Sequence, residues 1–479
     1  MEKERPPMDY SRQLFPNNCL FSLLGSVLFF AAIWAPPRTR ADSPDPSMGS
    51  IRVADPDSAK RGYAALVSRS FTPANFPAGS IQSVWKIWTK SKPSDPVAAA
   101  RERFGLHEAP YPNDGLPMGL RTGTFGLGIR GISLDCMVCH GGSILGKPLL
   151  GLGNASLDLQ ALFEELPAGG TQKLRTPYQF SRARGTNEAG ATSVFLMGFR
   201  DPDLGINLVK NDLKPVDTLC EDVPAWWLLR KKGTMYATGE GDARSVRSIM
   251  QFSMSPIHGK SWFEKEESTF RDILNYLYTI EAPKYPFPIN STLALRGESV
   301  FRKNCAKCHG TYGENPTYPN KIISLGEVAT DSHRLNGFPI DFAKKYSQSW
   351  FTREREGWFA DGYQGRINHG YQAPPLDGVW ATAPYLHNGS IPTLGHLLDS
   401  KTRPIRFTRS FRTEESEYDR DLIGWKTRPV GPLVKPSDPH EARKIYDTSE
   451  IGRGNGGHTY GDSLTTEERT ALLEYLKTL

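Results

Sequence analysis

The stretch Cys305-Ala306-Lys307-Cys308-His309 determines how this 479-residue chain is interpreted. Cys-x-x-Cys-His is the attachment pattern of a c-type haem, in which each cysteine sulfur bonds to a vinyl group of the porphyrin. The histidine that follows then lies beneath the ring and becomes the proximal iron ligand. A second copy, Cys136-Met137-Val138-Cys139-His140, lies upstream. The two motifs therefore predict two covalently attached haems c.

The competing interpretation of each motif is a redox dithiol or half of a zinc site. A Cys-x-x-Cys pair without further context is compatible with either. A histidine follows both pairs directly, at His140 and His309. That repetition favours haem attachment at both positions.

Composition narrows the classes of function. A formal charge of +6 is a small excess for this length, and no basic stripe with interleaved aromatic residues indicates a nucleic-acid partner. The chain has 45 glycines and 37 prolines, and its hydrophobic content is only 38%. Such a chain contains many loops, and a bound haem would supply apolar surface for them to pack against.

The N-terminal segment predicts export. Residues 19–35 form the longest apolar run, after a polar start that contains Lys3 and Arg5. We predict that residues 1–41 are a secretion signal cleaved near Ala41. The alternative is an uncleaved anchor, because 17 residues are only just enough to span a bilayer. Both predict a periplasmic or secreted protein, with membrane contact only if the segment is retained.

One cysteine belongs neither to the predicted signal nor to a haem motif. Of the six cysteines, Cys19 would leave with the signal and four belong to the two haem motifs. Cys220 then has no partner for a disulfide within the chain. We expect it to be a small buried side chain.

Helical periodicity divides the chain in two. Apolar residues recur at helical spacing from Phe270 to Ile280, and the proline-rich sequence that follows cannot continue the helix. We predict an N-terminal haem domain over residues 42–283, a stiff linker over 284–290 and a C-terminal haem domain over 291–479.

The C-terminal domain shows the same arrangement of helices. A helix over residues 294–301 leads into Cys305, and Thr465 with Glu468 forms a capping box for the last helix. The sequence 473–479 repeats the apolar positions of 274–280. The predicted fold is therefore mainly α, with two tandem cytochrome c-like domains and long irregular loops.

The distal iron ligands are expected in the loop before the last helix of each domain. In the C-terminal domain this loop is rich in glycine and ends at His458, the first candidate. The corresponding N-terminal position holds His258, with Met254 nearby. His387 is the alternative for the second iron, where it could also bond a haem propionate and order its loop.

Two adjacent tryptophans, Trp226 and Trp227, are the candidates for a catalytic role. On a helix their side chains point about 100° apart, so both rarely fill one core. They either pack at the start of a helix, or one ring lies against a haem or between the two haems.

These segments resemble the di-haem c-type cytochromes related to the rubber oxygenases and, more distantly, the bacterial di-haem cytochrome c peroxidases. The residues that carry the resemblance are Cys136-Met137-Val138-Cys139-His140-Gly141-Gly142, Asn304-Cys305-Ala306-Lys307-Cys308-His309-Gly310 and Ala383-Pro384-Tyr385-Leu386-His387-Asn388-Gly389-Ser390. The ending Tyr475-Leu476-Lys477-Thr478-Leu479 also fits.

The resemblance implies that two histidines bind the C-terminal haem. It also implies a reactive N-terminal haem with an open or weakly held distal position and with Trp226 and Trp227 as aromatic neighbours. In the peroxidase relatives the histidine of the Pro-Tyr-x-His segment need not be axial, so His458 ranks above His387. No feature of the sequence identifies a channel for polyisoprene.

Three functions follow from these observations. The first is electron transfer between the two haems and a periplasmic redox partner. The second is a haem-dependent peroxidase or oxygenase that acts on a small oxidant at an open N-terminal iron fed by the C-terminal haem. The third is a sensor or interaction module in which the haems are mainly structural.

Overall fold

The computed structural model describes residues 52–125, 128–176, 178–187, 190–207, 213, 219–353 and 369–479. The predicted secretion signal or anchor, residues 1–41 with the apolar run 19–35, lies outside this part of the chain. Within it, no helix combines the length and apolar character needed to cross a bilayer.

Among the described residues, four α-helices have eleven residues or more, and every other α-helix has nine or fewer. The α-helices are α1 (Pro56–Ser68), α2 (Ser80–Ser83), α3 (Pro96–Phe104), α4 (Met137–His140), α5 (Leu159–Glu165), α6 (Gly190–Met197), α7 (Val246–Met250), α8 (Lys260–Thr279), α9 (Ser291–Asn304), α10 (Ala306–His309), α11 (Leu325–Val328), α12 (His333–Asn336), α13 (Ile340–Ser347), α14 (Leu394–Leu398), α15 (Pro439–Arg443) and α16 (Thr466–Leu476).

Short antiparallel strands lie between these helices. The strands are β1 (Phe76–Pro77), β2 (Leu120–Thr124), β3 (Arg130–Leu134), β4 (Gly141–Ile144), β5 (Lys147–Leu150), β6 (Thr234–Met235), β7 (Gly241–Asp242), β8 (Ile322–Ser324), β9 (Gly370–Gln372), β10 (Arg406–Thr408), β11 (Tyr418–Asp419), β12 (Gly424–Trp425), β13 (Arg428–Pro429) and β14 (Ile445–Asp447). Two sheets have three strands, in the orders β1-β3-β2 and β13-β10-β14, and the other strands pair as β4-β5, β6-β7, β8-β9 and β11-β12.

The prediction of a mainly α fold is wrong. Among the described residues, 37% are helical and 12% are in strands, so the fold is mixed α and β. The strands were missed because each has only two to five residues. A period of two cannot be recognised over so few positions, particularly in sequence rich in glycine and proline.

A glycine lies where the two long C-terminal helices, α9 and α16, cross. α9 crosses α16 at Gly297, where an added Cβ would lie 2.0 Å from the carbonyl oxygen of Ala471. Next to the crossing, the rings of Phe301 and Tyr475 pack with centroids 5.2 Å apart. The capping box of Thr465 and Glu468 is confirmed at the start of α16.

An equivalent pair lies in the N-terminal half. α1 crosses α8 at Gly62, where an added Cβ would lie 2.0 Å from the carbonyl oxygen of Asp272. The rings of Tyr63 and Tyr276 pack there with centroids 5.2 Å apart. The match of 274–280 with 473–479 thus corresponds to two similar helix crossings, each between the first and last long helices of its half.

The described residues belong to one compact unit. The stretch from α8 to α9 contains neither helix nor strand, as expected for the proline-rich linker. The division into domains 42–283 and 291–479 stays a prediction.

We predict that Gly297→Ala destabilises the haem-loaded protein. The new methyl group must push α9 away from the backbone of α16, and overpacking of this kind costs about 1–3 kcal/mol. Thermal or denaturant unfolding followed by circular dichroism measures the loss.

The matched control is Gly326→Ala in α11, where an added Cβ meets no atom within 4 Å. That variant should be as stable as the native protein or slightly more stable, since alanine favours helix over glycine. Equal stability of both variants would contradict a close crossing at Gly297.

Candidate haem sites

The C-terminal attachment motif is oriented by the turn that follows α9. Its last residue, His309, lies at the end of α10. Nδ1 of His309 lies 2.8 Å from the carbonyl oxygen of Pro374, to which it can donate a hydrogen bond. This bond fixes the ring and leaves Nε2 free with its lone pair, which is the arrangement required of a metal-binding histidine.

His458 lies opposite His309. The two ring centroids are 6.2 Å apart and the ring planes differ by 60°. Two imidazole–metal bonds of about 2 Å each, plus about 1.1 Å from nitrogen to centroid in each ring, require a separation of about 6.2 Å. The separation of the two rings is compatible with both of them binding one iron ion.

The protonation state of His458 suits a ligand. Burial lowers its pKa to about 4, and the neighbouring His309 acts in the same direction. The imidazole is therefore neutral at pH 7, which is the form that binds metals. Nδ1 of His458 is buried without a hydrogen-bond partner.

The backbone before His458 approaches its neighbours closely. Gly457 has φ of +73°, and an added Cβ there would lie 2.3 Å from the carbonyl carbon of Ala329. The N–H of His458 donates to the carbonyl of Val328 at 2.7 Å. Only glycine fits at position 457, which explains the glycine-rich sequence before the histidine.

Two buried side chains hold this loop in place. Arg403 donates hydrogen bonds to the carbonyls of Asn455, Gly457 and His458 at 2.7–3.2 Å. Asn388 donates to the carbonyls of Gly452 and Gly454 at 3.2 and 2.9 Å. The position of His458 therefore depends on residues 55 and 70 positions away in sequence.

In the N-terminal attachment motif, His140 is the last residue of α4. Burial lowers the pKa of His140 to about 4, which the carbonyl of Pro224 opposes. Nδ1 of His140 nevertheless has no partner at hydrogen-bond geometry. The carbonyl of Pro224 thus lies near His140 as that of Pro374 lies near His309. Unlike Pro374, it forms no hydrogen bond with the histidine.

The ring of His140 stacks on Trp226, with centroids 4.7 Å apart and planes 23° apart. A metal bound to an imidazole lies in the plane of the ring, whereas Trp226 covers its face. Trp226 can therefore hold the orientation of His140 without occupying the distal position.

His258 and Met254 were predicted as candidates for that distal position. The ring of His258 stacks on Trp262 with centroids 3.8 Å apart, and Nδ1 lies 3.1 Å from the carbonyl of Ser253. Among the described residues there is no ring contact between His140 and His258 like that of His309 with His458. Met254 shares a buried cluster with Met137 and Trp226. The distal ligand of this haem stays a prediction.

The two tryptophans belong to different cores. Trp226 packs in a cluster with Met137 and Met254 that also contains Trp350. Trp227 packs in the C-terminal cluster with Phe301, and its Nε1–H donates to the carbonyl of Asp377 at 2.8 Å. Adjacent residues thus connect the surroundings of one attachment motif with those of the other.

His387 lies beside the cluster that contains Cys308, because the ring on which it stacks, Tyr371, packs in that cluster. Its ring stacks on Tyr371 with centroids 3.9 Å apart, and Nε2 is buried without a hydrogen-bond partner. Burial lowers the pKa of His387 to about 3, and the charge of Arg334 contributes. The loop that carries it is tied to the N-terminal half, because Asp222 N–H donates to the His387 carbonyl at 2.7 Å.

The thiols suit thioether attachment. Cys136, Cys139, Cys305 and Cys308 are all free, as is the buried Cys220. Burial raises the pKa of Cys136 and Cys139 to about 12 and of Cys305 to about 11. Among the described residues, no group of three or more histidine, cysteine or acidic side chains is arranged to hold a bare metal ion. The donors fit haem c at both motifs.

One family model matches a segment that includes neither attachment motif nor His458. Residues 370–408, which include His387 and Arg403, match the family described as RoxA-like, cytochrome c-like. The match supports a RoxA-like cytochrome, and a cytochrome c-like domain implies covalently bound haem c.

Two curated relatives come from Sinorhizobium fredii. The uncharacterized protein y4iM is 33% identical over 245 residues, which are 43% of this chain and 53% of the relative. The uncharacterized protein y4iJ is 38% identical over 261 residues, which are 42% of this chain and 41% of the relative. The matched segment thus spans about half the length of each relative.

Several residues that shape the site were not predicted from sequence. They are Pro224 and Pro374 at the proximal histidines, and Asn388 and Arg403 at the distal loop. These prolines carry no local signal of their role, because they lie near the histidines only in the folded chain. Gly62 and Gly297 could have been found, since a glycine inside a helical pattern often marks a close approach.

We predict that Arg403→Gln loosens the His458 loop. The variant loses several hydrogen bonds from a buried cation, each worth about 1.5–3 kcal/mol, so the fraction of high-spin iron should rise at lower temperature than in the native protein. Absorption spectra of the ferric protein recorded on heating measure this.

The control is Arg406→Gln. Arg406 also bonds carbonyl oxygens, but its neighbours are Gly431, Val434 and the carboxylate of Asp447. An Arg406 variant that loses low-spin iron as readily as the Arg403 variant would show that Arg403 has no specific role at the haem.

Proposed function

We propose that the protein is an exported di-haem c-type cytochrome that transfers electrons through two covalently bound haems. Two Cys-x-x-Cys-His motifs and the match to a RoxA-like, cytochrome c-like family support this proposal. The free cysteines of both motifs are compatible with two attachment sites. When bound, haem supplies one-electron redox chemistry that the side chains cannot provide.

The spacing of His309 and His458 is the observation that carries the proposal. With both axial positions taken by histidine, an iron has no position for oxygen or peroxide and is suited to electron transfer. Arg403, Asn388 and the Pro374 carbonyl keep the two imidazoles in place. A ligand set that changes little between oxidation states reduces the reorganisation that accompanies each transfer.

The path between the two sites would run through Trp226 and Trp227. Trp226 stacks on His140, and Trp227 lies in the core that contains Phe301 and contacts Cys305. Both tryptophans are at least nine-tenths buried, so the path excludes water. Their proposed role is to couple the two haems electronically and to hold His140.

The alternative is a haem-dependent peroxidase or oxygenase with an open N-terminal iron fed by the C-terminal haem. The asymmetry between the two motifs favours it, because His309 faces His458 whereas the ring of His140 stacks on Trp226. The partners proposed for the two cases are a periplasmic redox protein for electron transfer and a small oxidant for catalysis.

Reductive titration of the purified full chain tests the main proposal. We expect two haems per chain by haemochrome absorbance and two electron equivalents taken up reversibly. A single haem or a single electron equivalent would overturn the di-haem assignment. Cys136→Ser/Cys139→Ser and Cys305→Ser/Cys308→Ser variants should each retain one haem.

Carbon monoxide separates the two functions. A carrier with both irons closed should show no carbon monoxide spectrum after reduction and no burst of oxidation with peroxide. Binding of one carbon monoxide per chain, lost only in the Cys136→Ser/Cys139→Ser variant, would replace electron transfer by the peroxidase or oxygenase function.

A further inference from the structure

A small cavity lies away from both attachment motifs. Its volume is about 20 Å³, enough for one or two water-sized groups. The lining residues are Arg184, Gly185, Thr186, Pro384, Gly389, Pro392, Phe407, Thr408, Arg409, Phe411, Arg443, Lys444 and Tyr446. Four of these are cations and none is a carboxylate.

Two of the four cations have carboxylate partners. Nε of Arg443 lies 2.9 Å from the buried carboxylate of Asp158. Nζ of Lys444 lies 2.7 Å from Glu441. Their positive charges are therefore compensated within the chain.

The remaining two cations bond only carbonyl oxygens. Arg184, which is 6% exposed, donates to the carbonyls of Ser156 and Glu102 at 2.8 Å each. Arg409 donates to the carbonyls of Ala155 and Ser410. A carbonyl dipole satisfies the N–H groups, but it does not neutralise a buried charge.

One aromatic ring brings these two guanidinium groups together. The central carbons of Arg184 and Arg409 lie 4.6 and 4.5 Å from the ring centroid of Phe411. Burial lowers the pKa of Arg184 to about 10 and that of Arg409 to about 9. The charge of Asp158 acts on Arg184 in the opposite direction, although its carboxylate is bonded to Arg443 and His440. Asp222 also acts on Arg409, but burial raises the pKa of its own carboxyl well above the usual range.

We propose that this cavity binds a small inorganic anion of about the size of chloride between Arg184 and Arg409. The small volume favours an inorganic ion, and two buried cations that bond only carbonyl oxygens favour one negative charge. The walls come from residues 184–186 of the N-terminal half and 384–446 of the C-terminal half. The anion therefore links the two halves and stabilises the folded chain.

Thermal unfolding of the haem-loaded protein tests the proposal in solution. Replacing gluconate by chloride at constant ionic strength should raise the melting temperature by a few degrees, because only chloride fits and binds the folded state. Arg409→Gln should abolish this difference, whereas Arg412→Gln should retain it, since Arg412 is exposed and paired with Glu102. Equal melting temperatures in both salts, or a difference that survives in Arg409→Gln, would overturn the site.

Anomalous diffraction from crystals grown in bromide provides a test that does not depend on a variant folding. The expected result is an anomalous peak within hydrogen-bond distance of Arg184 and Arg409. A cavity without a peak, or one filled by a haem propionate, would overturn the proposal of a free anion.

Discussion

The separation of His309 and His458 is the constraint on which the proposed C-terminal haem site depends. Two imidazoles can share an iron only if their rings are held about 6.2 Å apart, and 6.2 Å is the distance that separates them. The two histidines are 149 positions apart in sequence, so many long-range contacts must position them. The crossing of α9 with α16 at Gly297, the carbonyl of Pro374 and the hydrogen bonds of Arg403 all serve that requirement.

Each half contains a similar helix crossing, but the residues around the two motif histidines differ. Gly62 and Gly297 allow the same close approach of paired helices. His309 has a second imidazole opposite it, whereas His140 has an indole on its face. If each motif carries a haem, as we propose, these different surroundings would allow one haem to be closed and the other to take a different role, and Trp226 and Trp227 would join the two.

The sequence predicted the local features of the chain well. The helices at α1, α8, α9 and α16 and the capping box of Thr465 could be predicted, because periodicity and motif spacing are local, whereas His458 as an iron ligand stays a prediction. The strands were not, because each is too short to show a period. Arg403, Asn388 and Pro374 were not predicted either, since their role exists only once segments distant in sequence meet.

Magnetic resonance of a protein that retains only the C-terminal haem tests the central claim most directly. In a Cys136→Ser/Cys139→Ser variant, the paramagnetic resonance spectrum should show ferric iron that is low-spin, with two imidazole ligands, and His458→Ala in the same background should convert it to high-spin. A high-spin iron before His458 is replaced, or a low-spin spectrum that survives its replacement, would contradict the pairing of His309 with His458.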